Sequence, residues 1–248
     1  MDISASTRRG FVAALLGMGV LGARPLADPP LAEPDGLLRL PDRALRLTRT
    51  LERGQSEGGG AVITVRRWWD VTFQRQGRGT VVTGRQTGAA VDAPPNLAEL
   101  ARIEQQRDAS GMFPLMLSEN GSILTAPVPP GESDPVAAAL RAAEGFIARQ
   151  PVPTDERARA RFYLAEVHRA GSGLLDALPG DLLYPAGVPV ERSEVVALPD
   201  GLTGRFVLSY KALPQPDAPW LARAERRVIT SVGGMDRQAT EVWTLGPL

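Results

Sequence analysis

Residues 44–87 read ALRLTRTLERGQSEGGGAVITVRRWWDVTFQRQGRGTVVTGRQT, and their alternation decides the fold. Leu45, Leu47 and Leu51 share one face, and Arg46, Thr48, Thr50 and Glu52 share the other. A period of two predicts a half-buried strand. Ile63, Val65, Trp69, Val71 and Phe73 repeat the pattern in a second strand. The loop spans Gly54–Gly60, and Gln76-Gly77-Arg78-Gly79 turns the chain into a third strand. Each apolar face has one interruption, Arg49 in the first strand and Arg67 in the second. A loop centred on Gly58 sets Leu51 against Val65, Leu47 against Trp69, and Leu45 against Val71. The same register sets Arg49 against Arg67. Facing like charges are destabilising, and a buried charge needs a partner, so something anionic is expected there. A one-residue slip would pair apolar with polar positions.

Trp68 points opposite to Trp69 and joins Arg66, Asp70 and Thr72 on the polar side, where an indole needs cover. The chain's own helices are the expected cover, since sheets are normally overlaid by a second layer. A partner or ligand is the other reading for Trp68 and Arg66, and if the glutamates near the end of the chain lie elsewhere, Arg49 and Arg67 join them as candidate ligand-binding residues, holding an exogenous anion such as a lipid headgroup.

The chain has 248 residues, 43% hydrophobic and 23% charged, enough to bury a sizeable core. Its 28 basic and 28 acidic residues cancel, and Lys211 is the sole lysine. Positions 36–91 hold ten arginines against four acids, and positions 92–200 nine against sixteen. A basic sheet and an acidic helical region neutralising each other is the structural reading. A basic surface for anionic lipid or envelope polymer is the functional one. The absence of cysteine excludes disulfides, thiolate metal sites, cysteine nucleophiles and a lipid-modified cysteine anchor. His168 is the sole histidine, which excludes histidine-rich metal sites. No cofactor and no metal are expected. Zero net charge fits nucleic acid poorly.

Ser6-Thr7-Arg8-Arg9-Gly10-Phe11-Val12 resembles a twin-arginine export signal, with an apolar run to Ala23 too short to cross a bilayer. The resemblance covers only this leader, and Ala13 stands where such signals often carry lysine. It implies a bacterial periplasmic or secreted protein with no transmembrane segment once the signal is removed. The expected organisation is an export signal at 1–27, a proline-rich lead-in at 28–43, and one α+β domain at 44–248. An internal boundary is expected at 127–132.

Asn96 with Glu99 forms a capping box before a helix whose stripe is Leu97, Leu100, Ala101 and Ile103. Glu119-Asn120-Gly121 predicts a hairpin, and Pro114 an edge strand. Two helices follow, from Ser133 to Arg149 and from Thr154, the second with Ala160, Leu164, Val167, Gly171, Leu174 and Leu178 on one face. His168 borders that stripe, and no nucleophile stands near it in sequence. Strands resume at Val188, with turns at Pro199-Asp200-Gly201 and Gly233-Gly234. Glu194 lies in line with Val190, Val196 and Leu198, and Glu241 in line with Ala239, Trp243 and Leu245.

Two arginines thus interrupt apolar faces near the beginning, and two glutamates near the end. Arg49 and Arg67 are expected to meet Glu194 and Glu241 as structural ion pairs across a shared core. The expected fold is α+β, a curved antiparallel sheet from both chain ends with the central helices on one face. That architecture resembles the open-barrel carriers that hold lipids or lipoproteins in the bacterial periplasm. No phosphate loop, nucleophile elbow or HExxH helix is present, and no catalytic residue is assigned. The expected function is a non-catalytic binding or envelope-interaction protein holding an apolar or amphipathic ligand, such as a lipid, between sheet and helices. The alternatives are a periplasmic hydrolase using carboxylates and a structural subunit pairing through a sheet edge.

Overall fold

The computed structural model describes residues 37–55, 62–124, 135–147, 149, 151, 153–173, 175 and 177–248. The export signal, the first part of the lead-in, most of the Gly54–Gly60 loop and the 127–132 boundary lie outside the described residues.

Eight strands form one antiparallel sheet: β1 (Leu45–Gln55), β2 (Ile63–Gln76), β3 (Gly79–Asp92), β4 (Leu115–Leu117), β5 (Val190–Ala197), β6 (Thr203–Gln215), β7 (Ala218–Val232) and β8 (Met235–Pro247). Their order is β4-β3-β2-β1-β8-β7-β6-β5, two four-strand meanders joined where β1 pairs with β8. Between β1 and β2, Arg49 faces Arg67, Leu47 faces Trp69 and Leu51 faces Val65. The β7–β8 hairpin turns at Gly233 and Gly234, both at positive φ, the conformation a two-residue hairpin demands.

Among the described residues three α-helices accompany the sheet, α1 (Ala98–Gln106), α2 (Pro135–Ile147) and α3 (Glu156–Gly173). The expectation of an α+β protein in an open-barrel form needs correction. The chain is predominantly one large antiparallel sheet, only partly α+β, and the sheet does not close. Six strands run for 11 to 15 residues, which leaves little chain for helices. Closure would need β4 to pair with β5, and β4 has only three residues. Of the helices only α3 lies broadly on the sheet, against β6, β7 and β8, while α2 stacks on α3.

Other local expectations are also revised. A 3-10 turn at Pro95–Leu97 precedes α1, and no side chain caps either one, so Asn96 closes no capping box. The α1 stripe stays outside the core, with Leu100 and Ile103 exposed. After β4 the Asn120-Gly121 turn returns the chain, but its second arm makes one bridge, Leu117 to Ile123, rather than a strand. Asp155 caps α3 by accepting from the Ala158 amide at 2.7 Å.

The inner face of the sheet carries two separate apolar clusters. One contains Leu47, Trp69, Val71, Leu182, Tyr184 and Leu245. The other lies beneath α3 and contains Leu51, Leu164, Val167, Phe206, Val228 and Ala239. Gly171 lets α3 approach this closely, because a Cβ there would sit 2.1 Å from the Phe206 ring. Burial of the two clusters is the main favourable term holding the sheet and its cover together.

Candidate functional site

Between the two apolar clusters a belt of charge crosses the sheet. Glu241 on β8 is 0% exposed and accepts hydrogen bonds from two arginines. Arg49 on β1 donates through Nε at 2.6 Å and brings Nη2 to 2.5 Å. Arg226 on β7 donates through Nε at 2.9 Å and brings Nη2 to 2.6 Å. The spare guanidinium hydrogens also find acceptors. Arg49 and Arg226 both donate to the Leu175 carbonyl, at 3.0 and 2.9 Å, and Arg226 donates to the Ala177 carbonyl at 2.9 Å. These carbonyls follow α3, so the belt fixes the point where the chain leaves the helix. Arg49 also lies over the Trp243 ring at 5.1 Å, and Trp243 stacks on Trp69 at 6.1 Å. Tyr210 on β6 faces Arg226 across the ladder. Burial, with the nearby Asp181 carboxylate, pushes its phenol pKa up, so it stays neutral.

Arg67 has a different partner from the one the sequence suggested. It is buried and donates through Nη2 to the carboxylate of Glu104 on α1 at 2.8 Å and to that residue's carbonyl at 2.7 Å. Burial pushes Glu104 up, but the Arg67 hydrogen bond and the charges of Arg67, Arg107 and Arg53 outweigh it and hold the carboxyl below its usual value. Glu194 does not join the belt. It sits on the edge strand β5 with its side chain 41% exposed, 3.8 Å from Arg192 of the same strand. Its place in line with Val190 and Val196 holds, but an edge strand leaves that position open to water.

The remaining candidates lie on the opposite face. Arg66 is exposed, with a long contact to Thr50 Oγ1 at 3.4 Å. Trp68 is half-buried, and its ring lies over Gly88 of β3, within 3.0 Å of where a Cβ would stand. The register shifts between Trp68 and Trp69, which brings this glycine opposite the indole. Gly88 of the neighbouring strand thus covers part of the Trp68 ring. On that face a trough of about 400 Å³ is lined by Glu191, Lys211, Arg223 and Glu225 among others. Its charges are largely matched, with Arg223 3.0 Å from Glu225.

Sequence reasoning missed Arg226, although the signal was present. Ala224, Val228 and Val232 alternate on β7 with Arg226 as the interruption, and a turn at Gly233-Gly234 places it opposite Glu241. It also passed over a second basic group. Arg53 continues the inner face of β1, opposite Ala239, and Arg237 continues that of β8, opposite Thr230. His168 Nδ1 lies 3.3 Å from Thr230 Oγ1, which joins the histidine on α3 to this group. Burial, then the charges of Arg237 and Arg53, pull the His168 pKa down to about 4, so the ring is neutral at pH 7. Among the described residues no cluster of three or more His, Asp or Glu side chains could hold a metal.

No protein-family model and no curated protein matches the sequence. Among solved structures, a chain described as "Lipid-protein interactions in lipovitellin" aligns over 82% of this chain and 24% of its own, with 8% identity and a TM-score of 0.29. That score is too low to assign a fold. No helix among the described residues is long and apolar enough to cross a membrane.

Proposed function

We propose that this chain is an exported, non-catalytic binding protein that takes up an apolar or amphipathic ligand between its sheet and the α2–α3 cover. The observation that carries the reading is the division of the core. Arg49, Glu241 and Arg226 stand between the two clusters on β1, β8 and β7, which supports a cluster beneath α3 that opens apart from the other. The cover is attached at one end through the Leu175 and Ala177 carbonyls, while α2 rests mainly on α3. An apolar compartment under a separable pair of helices is suited to an apolar guest. Acid–base chemistry by carboxylates has less support, because the Glu241 and Glu104 carboxylates are each held by arginine.

Native mass spectrometry of protein purified from its own cells, before and after organic extraction, tests the reading. Retained mass that extraction removes, and that returns with added lipid, is the expected result. Extraction without change in mass, together with no uptake of an apolar fluorophore, overturns it. Export rests on Arg8, Arg9 and the apolar run after Phe11. Replacing both arginines with lysine is expected to retain the chain in the cytoplasm.

A second reading, a subunit pairing through its edge, is favoured by β5, an eight-residue outer strand with Val195 71% exposed. Size measurement in solution, with Val195→Lys as the disrupting variant, separates it from the first. A single monomeric species for both proteins removes the edge reading.

A further inference from the structure

Two arginines stand at the rim of the α3 compartment with no ion-paired carboxylate among the described residues, although the Glu104 carboxylate held by Arg67 lies within electrostatic reach of Arg53. Arg53 and Arg237 have no carboxylate partner among the described residues, and Arg237 Nε is buried with no acceptor. The nearest acids in sequence, Glu52 and Asp236, occupy alternate positions and project from the opposite face. Glu104 is engaged by Arg67, and Glu166 on α3 by Arg169 at 2.6 Å. Arg53 is open to water, but Arg237 is half-buried with an unmet donor and a like-charged neighbour, which is costly unless an anion sits with it.

The surroundings indicate what that anion is attached to. Arg53 stands opposite Ala239, and Arg237 lies one alternate position beyond Ala239 on β8. Ala239, Leu51 and Val228 belong to the apolar floor beneath α3. Basic donors therefore border an apolar strip, the arrangement that fits a charged head joined to a hydrocarbon tail.

Building on the binding role proposed above, we propose that Arg53, Arg237 and His168, whose ring is held by the buried Thr230 hydroxyl, seat a phosphate-type oxyanion, the headgroup of an amphiphile whose tail lies along the Leu51–Val228–Ala239 floor. Guanidinium groups match phosphate oxygens with two donors each. His168 is neutral in the free protein because Arg53, Arg237 and burial all disfavour its charge. An anion among these groups reverses the balance and favours the imidazolium.

Because His168 is the sole histidine, its ring resonances report on the site without assignment ambiguity. The experiment titrates the full chain by NMR with inorganic phosphate and, separately, with monomeric dodecyl phosphate. The expected result is a saturable shift of the His168 ring signals and a titration midpoint raised above its free value. Arg53→Gln and Arg237→Gln are each expected to weaken binding about tenfold or more. Arg78→Gln, at the exposed β2–β3 turn, is the control that leaves binding unchanged. Dodecyl phosphate binding at least about tenfold tighter than phosphate identifies a lipid headgroup, since tail burial adds to the shared anion contacts. Equal affinity for the two keeps the anion site and overturns the amphiphile, while uptake of an uncharged apolar fluorophore decides the apolar guest separately. No response of His168 to either probe overturns the anion site, and uptake of an uncharged apolar fluorophore by that same protein would leave the binding role standing.

Discussion

Glu241→Gln is the sharpest test of the belt. The substitution keeps the shape of the side chain and removes the one negative charge that two arginines share. In the native protein four contacts of 2.5 to 2.9 Å converge on this carboxylate, which is wholly removed from water. An amide retains one oxygen acceptor, so one guanidinium keeps a partner and the other meets an NH2 donor. Two positive charges then remain in the belt with no compensating anion. Breaking a buried pair in this way costs about 3–5 kcal/mol. For a chain of this size that corresponds to a fall in Tm of roughly 6–20 °C. Urea unfolding followed by tryptophan fluorescence reads it directly, since Trp243 and Trp69 lie beside Arg49. Glu194→Gln, on the open edge, is the matched control and should stay within about 0.5 kcal/mol of the native chain. Replacing Arg49, Arg226 and Glu241 together with Met, Met and Leu should recover most of the loss, because no charge is then left buried. A Glu241→Gln destabilisation under about 0.5 kcal/mol, the range of surface changes, would refute the reasoning.

Three further outcomes follow from named contacts. Gly171→Ala drives a methyl into the Phe206 ring and should destabilise by about 1–3 kcal/mol, with partial rescue by Phe206→Leu, both read by thermal unfolding. Trp69→Ala should cost about 3–5 kcal/mol, because that indole is fully buried, whereas Trp68→Ala on the outer face should cost clearly less in the same assay. Glu104 has a folded pKa below its ordinary 4.5, so the stability it contributes is present above that value and is lost as pH falls through the folded value. Arg67→Met removes the main lowering influence, so urea midpoints of the variant should fall less steeply than the native ones between about pH 5 and about pH 3; parallel curves contradict the assignment.

Much of the strand register could be read from residues alone, and the reason is local. Between Arg49 and Arg67 the alternation runs unbroken on both sides of one loop, so one centre fixes every pair. The same arithmetic about Gly233-Gly234 pairs Arg226 with Glu241, a pairing that the apolar alternation of β7 already pointed to. Trp68 was harder, since the register shift beside it follows from packing on Gly88 and leaves no mark in hydrophobic periodicity. The partner of Arg67 was illegible for a related reason. Glu104 belongs to a short helix whose apolar stripe faces outward, so the stripe misstates which side meets the sheet. The three helices fall near their expected places, but the strands continue through Arg53, Arg75 and Gln86 to lengths that make the sheet dominant.

The pairing of β1 with β8 joins the described beginning of the chain to its end, and the belt grips the exit from α3. The proposed binding role requires the helices over the second apolar cluster to move as a unit separate from the sheet. Hydrogen exchange across the whole chain measures this directly. Amides of α2 and α3 should exchange faster than those of β1 and β8, and added dodecyl phosphate should protect them selectively. Helical amides that exchange only with global unfolding, and at the same rate with or without the amphiphile, would contradict it.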